Sequence, residues 1–133
     1  MSPKSESCIN LINKADRDLE AAKILYMNSM GRKQITEGIC FHSQQCIEKY
    51  LRAFLIFHEY DYPFTHDLDK LAGYYAKFDS RFAEFDFEAF KEYGVGIRYD
   101  APSPSIEDAR KAIYTADEVS GYVFYKIDII DII

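Results

Sequence analysis

Residues 41–53 read Phe41-His42-Ser43-Gln44-Gln45-Cys46-Ile47-Glu48-Lys49-Tyr50-Leu51-Arg52-Ala53, and the reading of this stretch decides the fold. It holds no proline or glycine, and its apolar residues recur at three- and four-residue steps, the period of an α-helix. Working outward, Ile39, Phe41, Cys46, Ile47, Tyr50, Leu51, Phe54, Leu55 and Phe57 cover most of the circumference of a helix expected over residues 34–60. A helix apolar nearly all round belongs in the middle of a bundle. Its polar exceptions follow a rule. His42, Gln45, Lys49 and Arg52 fall at steps of three, four and three and share one stripe, with Gln44 and Glu48 beside it.

The flanking segments supply neighbours for this central rod. Cys8, Leu11, Ile12, Ala15, Leu19, Ala22 and Tyr26 form one apolar stripe of a first helix. Lys14, Asp16, Arg17, Asp18, Glu20 and Lys23 face water there, and a stop lies between Asn28 and Gly31. Asp61-Tyr62-Pro63-Phe64 ends the second helix, because proline bars its predecessor from helical geometry. Thr65 is the expected cap of a short third helix carrying Leu68, Leu71, Ala72 and Tyr75. A fourth short helix is expected after Asp86, with Phe87, Phe90 and Tyr93 facing in, followed by a loop over 94–104. A last helix opens at Ser103 or Ser105 and turns Ile106, Ala109, Ile113, Ala116, Ser120, Val123 and Ile127 inward. The sequence predicts one all-α domain over residues 1–133. Its architecture is an up-and-down helical bundle of about five helices, two long, two short and one long closing helix. The Ile-rich end, residues 127–133, is compatible with extending the last helix, packing on the domain or meeting a second subunit.

Composition bounds the function. A chain of 133 residues, 48% hydrophobic and 29% charged, can build a core without disulfides or metals. Sixteen basic against 22 acidic residues leave a net charge of −6, which disfavours nonspecific nucleic-acid binding but leaves room for a local basic groove. Eleven Tyr and ten Phe with no Trp suit either a packed core or an interface where tyrosine hydroxyls stay wet. Cys8, Cys40 and Cys46 are odd in number and lack C-x-x-C spacing, so they read as reduced thiols. The N-terminus shows no signal-peptide phases and no apolar run approaches the ~20 residues of a membrane span, so a cytoplasmic protein is expected. His42 and Cys46 could begin a metal site, but no second pair has matching spacing. A core thiol beside a hydrogen-bonded histidine is the expectation, with no metal and no cofactor.

The run Phe41 to Ala53 resembles the second helix of HEPN domains: an aromatic, a His, a small residue, paired glutamines, Glu-Lys, then Leu-basic-Ala. Pro63-Phe64-Thr65-His66-Asp67-Leu68 resembles that family's Pro-x-Thr-His-x-Leu helix start, and Arg98-Tyr99 its Arg-Tyr-Pro loop. Ala15-Asp16-Arg17-Asp18-Leu19-Glu20-Ala21-Ala22 suits its first helix. The resemblance implies a helical bundle that usually forms a homodimer, with a cleft at or near the subunit interface. It also implies a small stand-alone protein of the type paired with a minimal nucleotidyltransferase, commonly as a toxin–antitoxin-like pair. Other members of the family are metal-independent ribonucleases in which an Arg is followed after four to six residues by His. Here Arg98 is present, but Ser103, Pro104 and Ser105 stand where that His should be, and Asp100 replaces the proline after Arg-Tyr. The chemistry needs a proton carrier and a cation for the phosphorane charge. The incomplete motif therefore leans away from an enzyme.

Three roles follow from the residues. His42, Gln45, Lys49, Arg52 and Arg98 form a candidate site for a nucleotide or RNA phosphate; the same stripe could instead face solvent or a second subunit. Arg98 and His66 are the candidate catalytic pair of a rearranged ribonuclease, the alternative to a non-catalytic nucleotidyltransferase partner. His66 could equally steady its loop, and Arg98 could tie its loop to the bundle. The third role is a plain structural dimerisation module.

Overall fold

The computed structural model describes residues 3–30, 32–77, 79–87, 90 and 103–127 of the chain. Among the described residues there are four α-helices: α1 (Pro3–Met27), α2 (Lys33–Phe57), α3 (Leu68–Ala76) and α4 (Ile106–Ile127). A 3-10 turn at Ser80–Glu84 lies between the last two. No strand occurs among the described residues, as the all-α reading requires.

Helices α1 and α2 share the most extensive interface, and their partners run in opposite sequence order. The Cys8 thiol donates to the Ala53 carbonyl, Asp16 meets Tyr50, and Lys23 to Tyr26 lie near the turn into α2. That pattern is an antiparallel hairpin. The two helices come close at Gly38, where a Cβ would stand 3.2 Å from Leu25 Cδ1. The hairpin turn uses Met30 in the left-handed region, with φ of 49°. Arg32 sends its guanidinium back to the Asn28 carbonyl at 3.3 Å, satisfying an otherwise unpaired group at the α1 terminus.

Helix α2 is central, as its all-round apolarity predicts. It packs on α1, α3 and α4, and Ile39, Cys46, Ile47, Leu51, Ala53 and Leu55 are wholly buried. Burying each large aliphatic residue contributes about 1.5–3 kcal/mol. The helix stops at Phe57 rather than near Tyr60. Glu59 takes a left-handed φ of 56°, and its amide donates to Ile56 O while the Tyr60 amide donates to Leu55 O, both at 2.9 Å. This paired closure satisfies the last carbonyls before Pro63 is reached. Phe41 is 47% exposed, so it covers none of the core expected of it.

Helix α4 runs parallel to α2. Its entry is fixed at the start of α2 by Thr36 Oγ1 donating to Pro104 O at 2.8 Å, and its far end meets residues that pack beside Phe54. Ser105 is the cap. Its hydroxyl accepts from the Asp108 amide, and the Asp108 carboxylate accepts from the Ser105 amide, each at 3.0 Å. Ala109, Ala112, Ala116, Val119, Ser120 and Val123 are buried, so α4 lies close on the bundle. Ile106 is 40% exposed instead of inward, because wholly buried Pro104 fills that end of the core.

Helix α3 buries Leu68, Leu71, Ala72 and Tyr75 as expected, but its cap is Asp67, whose side chain accepts from the Lys70 amide. Thr65 Oγ1 accepts from the Asp67 amide instead. The 3-10 turn is a further element, nucleated by Asp79 accepting from the Arg81 amide, and it drives Phe82 into contact with Phe54, Tyr75 and Tyr122. Phe87 and Phe90 are buried, as read from the sequence. The remainder of the segment expected to form a fourth short helix, Tyr93 included, lies outside the described residues. So do the 94–102 loop and the Ile-rich end beyond Ile127.

Candidate functional site

The polar stripe of α2 is organised by two carboxylates. Asp18 on α1 sits at the edge of that helix's buried stripe, one step from Ala15 and Ala22, and its side chain is 13% exposed. The antiparallel register brings to it two residues of α2 that lie two turns apart. His42 Nδ1 lies 2.9 Å from Asp18 Oδ1, and Lys49 Nζ donates to Oδ2. Gln45 is half-buried between them.

The second carboxylate is Glu48, one turn before Arg52 and buried to 5%. Its Oε1 accepts from Arg52 Nη2 at 2.8 Å and lies 2.6 Å from His66 Nδ1. Arg52 also donates to the Thr65 carbonyl at 2.7 Å and lies 4.6 Å from the Phe64 ring centroid. The guanidinium therefore staples the Pro63–Asp67 connection onto α2, and the His66 ring, edge-on to Phe64, closes the same corner. Ser43 Oγ, Gln44 Oε1, Glu48 Oε2 and Arg52 Nε are buried with no hydrogen-bond partner among the described residues. Buried polar atoms of this kind take water or a partner group.

Geometry thus gathers His42 and Lys49 around Asp18, and Arg52 and His66 around Glu48. The charges of Lys49 and Arg52 are offset inside the fold by Asp18 and Glu48, which lowers the field a phosphate would meet. Arg98, with Tyr99 and Asp100, lies outside the described residues. Cys46 is wholly buried beside this network, and burial raises its thiol pKa, with the Asp16 and Asp18 charges adding to the effect. Burial and the bond to Asp16 likewise raise the Tyr50 hydroxyl pKa. No group of three or more metal-ligating side chains occurs among the described residues.

The positions expected to hold a ribonuclease histidine have other bonds. Ser103 Oγ donates to Glu37 Oε1 at 2.6 Å, Pro104 O accepts from Thr36, and Ser105 caps α4. Sequence reasoning placed Asp18 among solvated residues and Glu48 beside the stripe, and so missed both organising groups. The signal was present for Asp18: it falls three residues after Ala15 and four before Ala22, on the flank that a neighbouring helix covers.

No described helix is long and apolar enough to cross a membrane. No curated protein matches the chain. Among solved structures, the crystal structure of an archaeal HEPN homologue superposes with a TM-score of 0.62 at 22% identity, covering 90% of this chain and 97% of the other. That likeness establishes the fold. The HEPN domain family model matches residues 10–126, from the middle of α1 to the last residues of α4. The chain therefore belongs to the HEPN domain family.

Proposed function

We propose that this HEPN protein is a non-catalytic, dimer-forming partner of a nucleotidyltransferase, in a toxin–antitoxin-like pair. The observation that carries the reading is the bonding of residues 103–105. Ser103 binds Glu37, Pro104 binds Thr36 and Ser105 caps a helix, so none of the three is set to carry a proton. The carboxylates on His42 and His66 support it further, since both rings already serve to join one element to another. In this reading the His42, Gln45, Lys49 and Arg52 stripe faces a protein partner, beside Phe41, whose half-exposed ring is the apolar component such an interface needs. Co-expression with the neighbouring gene product, followed by co-purification and cross-linking, tests it. A chain that stays monomeric and ignores that neighbour overturns the reading.

One observation favours a second reading, a metal-independent ribonuclease. His66, 35% exposed, is held against buried Glu48 in the carboxylate–histidine arrangement that orients a general base. Incubation with RNA in chelator tests it, with His66→Ala and Arg98→Ala as variants. Cleavage lost in both supports this reading, and cleavage that survives them refutes it.

A further inference from the structure

Three tyrosines gather where the chain passes from α2 to α3: Tyr60 and Tyr62 on the connection and Tyr74 on α3. The Tyr74 ring centroid lies 6.0 Å from that of Tyr60 and 6.3 Å from that of Tyr62, with planes tilted by 36° and 39°. All three are half-buried, packed against the core yet still in contact with water. Tyr60 and Tyr74 therefore form a shallow cleft of π surface, and Tyr62 extends it.

A cation already sits there. Lys77, three residues after Tyr74 at the end of α3, places its Nζ 5.1 Å from the Tyr60 centroid and 5.9 Å from the Tyr74 centroid. The same nitrogen donates to the Tyr60 hydroxyl at 2.7 Å. The two centroids and the ammonium thus make a nearly equilateral triangle, which puts one charge within reach of two ring quadrupoles. The chain's own side chain shows what the cleft attracts.

Lys77 is a weak occupant. It is exposed, its stem is flexible, and a primary ammonium is strongly hydrated. The other charged residues that flank the rings along the chain are Glu59 and Asp61 on either side of Tyr60, and Lys70 one turn before Tyr74. Without Lys77 the balance of these groups is acidic. Arg52, whose charge also reaches Tyr62, is paired with Glu48 at 2.8 Å. A group that displaces Lys77 must keep the positive charge and shed its water more easily. A quaternary ammonium meets both conditions, because it has no N–H to leave unbonded and its methyl groups carry the charge onto the rings.

We propose that the Tyr60–Tyr74 cleft is a binding site for a quaternary ammonium group, with Lys77 as its built-in competitor. A free choline-like molecule and a trimethylated lysine on a protein tail share this chemistry.

Titration of the full chain with choline and with a trimethyllysine peptide, read by amide chemical shifts, tests the proposal. Saturable binding with Kd on the order of 1 mM is expected for at least one probe, and the tighter of the two names the source. The shifts should concentrate in residues 59–62 and 74–77. Dimethylbutanol, which has choline's shape with carbon in place of nitrogen, should bind at least about ten-fold more weakly. Lys77→Ala should tighten binding at least about three-fold by vacating the cleft, the opposite of what losing a contact residue does. Tyr74→Phe should stay within about two-fold of the parent, whereas Tyr74→Leu, which keeps apolar bulk without the quadrupole, should weaken binding at least about five-fold. Helical circular dichroism checks that each variant folds; Lys77 is exposed, so its variant and the neutral isostere decide the matter without touching the core. No saturable shift with either probe, shifts elsewhere on the chain, equal binding of dimethylbutanol, unchanged or weaker binding in Lys77→Ala, or a folded Tyr74→Leu that binds like the parent would each overturn the proposal.

Discussion

Replacing Glu48 by Gln keeps the side chain's shape and removes its charge. The carboxylate holds Arg52 at 2.8 Å and His66 at 2.6 Å, in a position only 5% exposed. Hydrogen bonds to charged groups contribute about 1.5–3 kcal/mol each, and neutral ones about half as much. Substitution therefore forfeits about 1.5–3 kcal/mol across the two bonds. Relief of the carboxylate's own desolvation opposes this loss, but it leaves the Arg52 guanidinium, 19% exposed, without an anion. An uncompensated buried charge costs about 3–5 kcal/mol, discounted here because both Arg52 and His66 retain some access to water. The net expectation is a loss of about 2 kcal/mol near neutral pH, a fall in Tm of about 6–10 °C for a chain of this length. Urea denaturation followed by helical circular dichroism measures it. In a double-mutant cycle with Arg52→Gln, the combined loss should fall short of the sum by about 1 kcal/mol. A neutral or stabilising Glu48→Gln, or strict additivity, would show that the carboxylate is not what holds the Pro63–Asp67 connection to α2.

Other expectations are simpler. Met30 is 91% exposed with φ of 49°, so Met30→Gly removes backbone strain without losing a contact and should raise stability by about 0.5–1 kcal/mol in thermal or urea unfolding. The three cysteines are buried, and burial, with the Asp108 charge adding, pushes Cys40 up to about 12. A disulfide-exchange reagent should label none of them natively and all three in guanidinium; rapid native labelling would contradict the core placement. Burial alone would raise the carboxyl pKa of Asp79. Bonds from Tyr122, the Arg81 amide and Lys126 outweigh it and hold the group below its ordinary 3.8. A depressed carboxyl stabilises the fold above its unfolded pKa and loses that contribution as pH falls through the folded value. The parent should therefore lose more stability than Asp79→Asn between pH 5 and 3, in about the window where the unfolded carboxyl takes up its proton. Equal slopes would refute the assigned role.

Periodicity made the helices legible because burial enforces it. The step pattern of Cys8 to Tyr26, the all-round apolarity of Ile39 to Phe57 and the small inner face of Ala109 to Val123 each had one helical solution. Helix ends were less legible. The sequence offered Pro63 as the stop for α2, but the left-handed Glu59 closes it sooner, and a glutamate gives no sign of that conformation. The stripe was legible as a line of residues and not as a network. Its charges are set by Asp18, 24 residues before His42, and by the return of His66 over Glu48, contacts that depend on hairpin register and loop path. The tyrosine cleft was not read at all, since it forms only when Lys77 meets Tyr60 across 17 residues.

The α1–α2 hairpin has a consequence for how the chain is made. Its contacts join neighbours in sequence, so the loop to be closed is only Asn28–Arg32 and the entropic cost is small. During synthesis these two rods can zip together while α4 is still unmade. The side of α2 reserved for the alanines of α4 then waits bare until residues 106–127 emerge. That interval, more than the finished molecule, is when an unassembled copy is most open to association with the wrong surface.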